Sequence, residues 1–400
     1  MSSTLGNEPL VGRTCQLREL LDFRNEIVHP KDRPTGPSIF VGLEHIERDT
    51  GVRIGAERID LSELTGRRAR FQAGDIVYGY LRPYLNKVWI AEFDGICSVD
   101  QYVFTVRPGV DRDYVARFLR SDQFLRTAPI NAAPGQLPRI RSGEIGATQI
   151  VLPDLAEQQR ISAILNKADG LRRRRKSAID LLASYVQSMF LDMFGSPATN
   201  PNKYGLKTFG EISKIFSDGP FGSNLKSSHY TETGVRVIRL QNIGVGTFID
   251  EDSAFVSEDH FRSLSKHACL PGDVLIGTLG DPNLRACLHP DWIPVALNKA
   301  DCVQLRPNRD IALPEYLVAL INLPSLEELA RGLVRGQTRT RISMGRLRNL
   351  PVPIAPIEDQ RCFVEKVRAV SKLRKVYDSS GESIQSLFAA LEARAFSAEF

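Results

Sequence analysis

The chain has 400 residues, of which 42% are hydrophobic and 25% charged, and its formal net charge is +5. That length calls for more than one domain, and that balance excludes a disordered chain. No apolar run approaches the roughly 18 residues of a membrane helix, the opening MSSTLGNEPLVGRT has no apolar signal core, and six scattered cysteines offer neither metal-ligand spacing nor a disulfide framework, so a reducing cytoplasm is expected.

In chain order, residues 1–152 read as short alternating runs broken by Gly, Pro and Asp, the signature of a β-rich α/β globule. A strand-like IFVGLEHI at 39–46 precedes AGDIVYGYLRPYLNKVWIA from Ala73, then DQYVFTVRPG, then a helical phrase DYVARFLRS at 113–121. GQLPRIRSGEI follows at 135–145, and residues 123–143 are basic and lack acids. Residues 153–196 change character. From Asp154 to Phe194 there is no proline, and Asp154 is a good N-cap with Glu157 three residues on. Apolar or long side chains at Ile161, Ile164, Ala168, Leu171, Arg175, Ile179, Leu182, Val186, Met189 and Met193 alternate by three and four, with one extra step of four at Arg175. This predicts a coiled-coil seam with a single stutter, on a helix roughly 60 Å long.

Residues 197–352 repeat the first globule and 353–400 repeat its helix. VRVIRLQNI at 235–243 answers IFVGLEHI, PGDVLIGTLGDPNLRACLH from Pro271 answers the segment from Ala73, and Arg306-Pro307 answers Arg107-Pro108. PEYLVALIN at 314–322 and GQTRTRISMGRL at 336–347 follow in the same order, each roughly 200 positions after its counterpart. The helix-opening phrase also recurs: LPDLAEQQRI at 152–161 and IAPIEDQRCF at 354–363, in which Gln159-Arg160 corresponds to Gln360-Arg361. The second helix carries Phe363, Val367, Val370, Leu373, Tyr377, Ile384, Leu387 and Leu391, with Gly381 as an expected break or kink. A helix longer than a small domain needs a partner of equal length. Each therefore predicts the other as its antiparallel mate, giving two globes joined by two helices with internal pseudo-twofold symmetry.

The duplicated order of globule, Pro-x-x-x-Glu-Gln-x-x-Ile helix, FGSP spacer, globule and helix resembles the specificity subunit of type I restriction–modification systems. FGEISKIFSDGPFGSNLKSSHYTETGVRVIRLQNIGVGTF at 209–248 is similar to the start of that family's target recognition domain. The first globule departs from it: LRELLDFRNEIVHPKDRPTGPSIFVGLEHI lacks the FGS loop, and His45 stands where Asn242 stands in the second. The resemblance implies two recognition domains, each reading one half of a bipartite asymmetric site on double-stranded DNA. It also implies helices that space them and dock methyltransferase subunits, two per chain, and restriction or translocase subunits where the complex cleaves. No membrane partner is implied.

Arginine-rich, acid-free segments fit a polyanion partner. Candidate DNA contacts are Arg82, Tyr84 and Lys87 in one hairpin loop, Asn283 and Arg285 in its counterpart, Arg139 and Arg141 matched by Arg339 and Arg341, and Lys226 in the loop SDGPFGSNLKSSHY. That last loop has no Gly-Lys-Ser/Thr, so it is no nucleotide P-loop. The basic run RRRRK at 172–176 wraps its helix, which forces one or two of its side chains toward the seam. Candidate partner contacts along the helices are Arg160, Ile164, Arg174, Arg361, Val364 and Arg368. The Asn/Asp-Pro-Pro-aromatic motif of a DNA adenine methyltransferase is missing, and no catalytic cluster or metal-ligand set stands out. The chain is therefore expected to be non-catalytic and to hold no cofactor, with S-adenosylmethionine on a partner subunit. Two rival readings are a coiled-coil scaffold whose globes bind something other than DNA, and an enzyme with an unrecognised active site.

Overall fold

The computed structural model describes residues 13–128, 137–280, 282–335 and 340–397. It divides into two compact units, Met1–Arg175 with Ser380–Phe400, and Lys176–Ser379, so each long helix is shared between them.

Among its described residues unit 1 holds three sheets. Arg13–Gln16 pairs antiparallel with Gln149–Leu152, which ties the start of the globule to the strand that feeds the long helix. A four-stranded antiparallel sheet runs in the order Leu21–Phe23, Gln101–Val106, Ile76–Gly79, Val88–Ile90. A five-stranded sheet contains one parallel pair, Pro37–Val41 with Gly95–Ser98. Unit 2 repeats all three: Leu206–Thr208 with Pro351–Pro353, the sheet Ser213–Ser217, Cys302–Pro307, Val274–Gly277, Arg285–Leu288, and a five-stranded sheet whose parallel pair is Val235–Ile238 with Ala296–Asn298. The order is the same in the two-stranded and four-stranded sheets; in the five-stranded sheets four strands correspond, while the first lies at opposite edges, Ile27–Val28 beside Arg68–Phe71 in unit 1 and Tyr230–Thr231 beside Phe255–Val256 in unit 2.

The buried hubs correspond as well. Asp75 and Asp273 are each 2% exposed. Asp75 accepts from Arg24 Nε at 2.7 Å and Thr105 Oγ1 at 3.1 Å, while Asp273 accepts from Arg306 Nε at 2.8 Å and Gln304 Nε2 at 2.7 Å. A buried carboxylate is tolerable only when paired and saturated with donors, and the two units meet that demand with arginines from different places, Arg24 just past Leu21–Phe23 and Arg306 within Cys302–Pro307.

The long helices run Leu155–Phe194 and Ile357–Phe396, 40 residues each. Asp154 Oδ1 accepts the Glu157 amide at 2.8 Å, the predicted N-cap. In unit 1 the beginning of the first helix (Ile161, Leu165) shares a core with the end of the second (Phe388, Ala395, Phe396). In unit 2 the end of the first (Met189, Phe190, Phe194) shares one with the beginning of the second (Phe363, Val364). The helices are antiparallel within each unit.

The seam differs from the expected one. Ile164 is 38% exposed and Leu171 46% exposed, whereas Leu165 is buried and Arg172 half-buried, its guanidinium 4.5 Å from the centre of the Phe388 ring. With those two exchanges the steps from Ile161 to Met193 alternate four and three without interruption, and no stutter exists. The second helix behaves alike: Arg374 and Phe388 lie inward, while Leu373 and Leu387 are exposed. Gly381 does not break the helix, which continues through it, and the glycine is itself a buried seam position.

Candidate nucleic-acid interface

In unit 1 the hairpin between Ile76–Gly79 and Val88–Ile90 turns through two left-handed residues, Arg82 (φ 54°) and Asn86 (φ 49°), around a short 3-10 turn Pro83–Leu85. Residues 138–140 are stitched to it: Arg82 N donates to Pro138 O at 2.7 Å, Ile140 N donates to Tyr80 O at 3.2 Å, and Leu81 and Arg139 form an isolated antiparallel bridge. Ile140 is fully buried, so strand alternation sends Arg139 and Arg141 outward, and both are exposed. Arg82 is exposed and Tyr84 is 49% exposed. Lys87 is half-buried and its Nζ donates to Leu43 O at 2.7 Å, which fixes the loop to its neighbour. Tyr80 and Tyr102 stack at 4.3 Å beside this bridge. Burial first, then the Asp100 carboxylate, raises the Tyr80 hydroxyl above the usual phenol range.

Unit 2 rebuilds the same joint. Gly280 N donates to Thr340 O at 3.4 Å, Ile342 N donates to Thr278 O at 3.0 Å, and Leu279 bridges Arg341. The backbone therefore equates Arg82 with Gly280 and Arg139 with Arg341, and this register replaces the looser sequence match. Arg341 pairs with Asp301 at 2.6 Å and lies 5.2 Å from the centre of the Phe221 ring. Arg339 lies outside the described residues. Asn283 binds Thr340: its oxygen accepts from the hydroxyl at 3.1 Å and its nitrogen donates to the carbonyl at 2.7 Å. Lys226 is exposed in the loop that follows Phe221.

Arg285 departs from the expectation of a projecting contact. Its Nε donates to Ile243 O at 2.7 Å, its Nη1 to Leu279 O and Pro282 O, and its Nη2 to Leu240 O. Four of its five N–H donors are spent on carbonyls, so Arg285 braces the loops and is not a projecting contact. Sequence reasoning passed over Asp301, Phe221 and Tyr80. Asp301 carried one signal, its place opposite Asp100 in the repeat.

The helix candidates separate by exposure. Arg160 and Arg361 are exposed and pair with Glu157 and Glu358, each at 2.6 Å, and hydrogen bonding from Arg160 holds the Glu157 carboxyl below its usual range. Ile164 and Arg174 are exposed, and exposed Arg368 pairs with Glu315 at 2.6 Å. Val364 is 3% exposed within the unit 2 core and is removed from the partner contacts, because no partner reaches it. In the basic run, Arg172 and Arg175 are half-buried, while Arg173, Arg174 and Lys176 are exposed. Buried Asp169 draws Arg117 at 3.1 Å, Arg173 at 3.7 Å and Arg172 at 3.8 Å.

Among the described residues no helix is long and apolar enough to cross a membrane. Five described cysteines are buried and Cys362 is exposed, all as free thiols. Glu44, His45 and Glu57 cluster on unit 1, where His45 Nδ1 accepts the Gly42 amide at 3.0 Å, the capping role that Asn242 Oδ1 plays toward Arg239 N at 2.9 Å.

No protein-family model matches the chain. It is 28% identical over 185 residues to the type I restriction enzyme EcoDI specificity subunit of Escherichia coli, covering 45% of this chain and 41% of that one. It is 22% identical over 258 residues to the MjaVIII specificity subunit of Methanocaldococcus jannaschii, covering 59% and 58%. The chain thus spans about half the length of these two relatives. Among solved structures, a chain from work on complex assembly and conformational transition of the type I R-M system superposes with a TM-score of 0.56 at 19% identity, covering 98% of this chain and 99% of that one. The type I restriction–modification S subunit of M. genitalium gives 0.54 at 15% identity, covering 99% and 98%. The chain has the fold of those structures, and the resemblance drawn from its duplicated order agrees with both comparisons.

Proposed function

We propose that this chain is the non-catalytic, sequence-reading subunit of a type I restriction–modification complex. Each unit reads one half of a split, asymmetric DNA target. The long helices dock two methyltransferase subunits and, where the complex cleaves, its restriction subunits. The observation that carries this reading is the joint built twice on one backbone plan, Leu81–Arg139 and Leu279–Arg341, with different side chains around it. A shared scaffold with divergent loops suits two readers that meet different bases.

In this reading Arg82, Arg139, Arg141 and Lys226 supply exposed positive charge for phosphate, while Tyr84, Asn283 and Arg341 face base edges. Arg160, Ile164, Arg174, Arg361 and Arg368 are the exposed helix positions for docking. The reacting base, S-adenosylmethionine and the catalytic residues belong to the partner methyltransferase.

The test is a map of methylated bases in cells carrying the cognate methyltransferase, with and without this chain. A split, asymmetric motif that disappears without the chain is the expected result, and exchanging residues 1–150 for another reader changes one half only. Methylation that persists unchanged, in cells expressing both proteins, would overturn the reading and favour a scaffold.

A further inference from the structure

The two equivalent arginines are wired differently. In unit 1 Arg139 is exposed and makes no ion pair among the described residues. Asp100, whose carbonyl receives the Tyr80 amide at 3.2 Å, has its carboxylate at 3.4 Å from the Ser98 hydroxyl. In unit 2 the residue at the same backbone address, Asp301, receives the Thr278 amide at 3.1 Å and holds Arg341 instead. Asp301 adopts a left-handed conformation, φ 68°, uncommon for a residue with a side chain. Such a conformation is kept only where the surroundings fix it, and it is common at functional sites.

Three features immobilise Arg341. It forms an ion pair with Asp301, Nε to Oδ1 at 2.6 Å and without a hydrogen bond between these two atoms, its backbone pairs with Arg335 in both directions (N to O distances of 2.8 and 2.9 Å), and its guanidinium lies over Phe221. The Phe221 loop is itself pinned. A Cβ on Gly219 would fall 2.3 Å from Asn298 O and 2.2 Å from the Lys299 carbonyl carbon, so the loop backbone rests directly on that turn. An ion pair on the Nε side leaves the two terminal nitrogens of the guanidinium as a fork. Arg341 remains 38% exposed through its side chain, and that fork is what a guanine presents O6 and N7 to in the major groove.

We propose that Asp301 is a positioning residue for base discrimination in unit 2: its carboxylate, ion-paired on the Nε side of Arg341, sets the guanidinium so that the terminal fork reads one guanine of the half-site. This rests on the DNA-reading function proposed above. Arg139, without such a tether, contributes charge with less preference for sequence.

The experiment uses the full chain assembled with its methyltransferase partner, bound to duplexes carrying the target mapped from methylated bases. In the half-site that survives exchange of residues 1–150, each guanine is replaced in turn by 7-deazaguanine, which lacks N7. One replacement is expected to weaken wild-type binding by roughly 5-fold or more, a share of what a bidentate pair contributes. Arg341→Lys and Asp301→Gly bind the normal duplex more weakly and show little further loss on the analogue. Glycine accepts the left-handed backbone, so loss of folding does not mimic this result. Asp301→Asn tolerates that backbone but removes the charge of the pair, and is expected to lose part of the discrimination. If the analogue penalty is undiminished in Asp301→Gly, or no guanine in that half matters, the positioning role is overturned while DNA reading stands. If no duplex is bound specifically, DNA reading falls and this role with it.

Discussion

The guanidinium of Arg175 lies on Gly381: a Cβ placed on that glycine would fall 1.8 Å from Arg175 Cζ. The glycine thus fills a seam position in one helix by making room for an arginine at a seam position of the other, both within unit 1. Alanine in place of glycine favours a helix interior by about 1 kcal/mol, but here its methyl displaces the guanidinium. Gly381→Ala is expected to gain less than that in the wild-type background and the full amount once Arg175→Ala has emptied the space. Denaturant unfolding of the four chains of that double-mutant cycle checks it. Equal gains in both backgrounds would mean the contact has no energetic weight.

That seam shows where sequence was legible and where it was not. The alternation of three and four was visible, and so were the helix bounds, because proline and Asp154 punctuate them. The phase failed by one position at Ile164 and Leu171: a ranking by hydrophobicity prefers Leu171 to Arg172, and it does not separate Ile164 from its apolar neighbour Leu165. An arginine stem covers apolar surface while its head stacks on Phe388, and composition does not reveal that choice. The repeat of landmarks was legible because turn residues such as Gly272-Asp273 recur. The joint between the hairpin loop and residues 138–140 was not, because a two-residue bridge between distant segments has no local signature.

Gln360 explains the recurring helix phrase and corrects its register. It is fully buried, its Oε1 accepts Leu313 N at 2.9 Å, and its Nε2 donates to Ala355 O at 2.8 Å and Ile311 O at 3.0 Å. In unit 1 the same task falls to Gln158, which is 1% exposed, accepts Asp111 N at 2.8 Å and donates to Pro153 O at 2.8 Å. Gln159, the residue matched by sequence, is exposed. Gln158→Leu and Gln360→Leu orphan a backbone amide and carbonyls in the interior, and each is expected to cost about 2–4 kcal/mol. Gln159→Leu should change stability by less than about 0.5 kcal/mol. Unfolding midpoints of the three variants decide it, and a costly Gln159 would restore the sequence register.

His289 gives unit 2 a sensitivity to acid. The side chain is 1% exposed, its Nε2 has no hydrogen-bond partner among the described residues, and burial, the largest influence, holds its basicity below the usual range. The unfolded chain binds this proton near pH 6.5 and the folded chain only at lower pH. The neutral ring therefore contributes stability in full above about pH 6.5, and this is lost as pH falls through the folded value. Thermal midpoints are expected to drop between about pH 7 and the acid side of that window, with a shallower drop in His289→Gln. Parallel curves for the two proteins would show that other groups carry the acid limb.

Arg82 permits a clean test of phosphate anchoring. Its left-handed backbone, φ 54°, matches Gly280 at the same place in unit 2, where φ is 105°. Arg82→Gly therefore removes the guanidinium without straining the turn, whereas alanine would add strain of its own. Each phosphate contact releases condensed counterions, so losing one should reduce the slope of log K against log salt by about 0.9. The loss should be the same on target and non-target duplexes, since phosphate carries no sequence information. Binding of the assembled complex across a salt series measures both quantities. An unchanged slope would place Arg82 away from the backbone, and a loss confined to the target would make it a reader of bases.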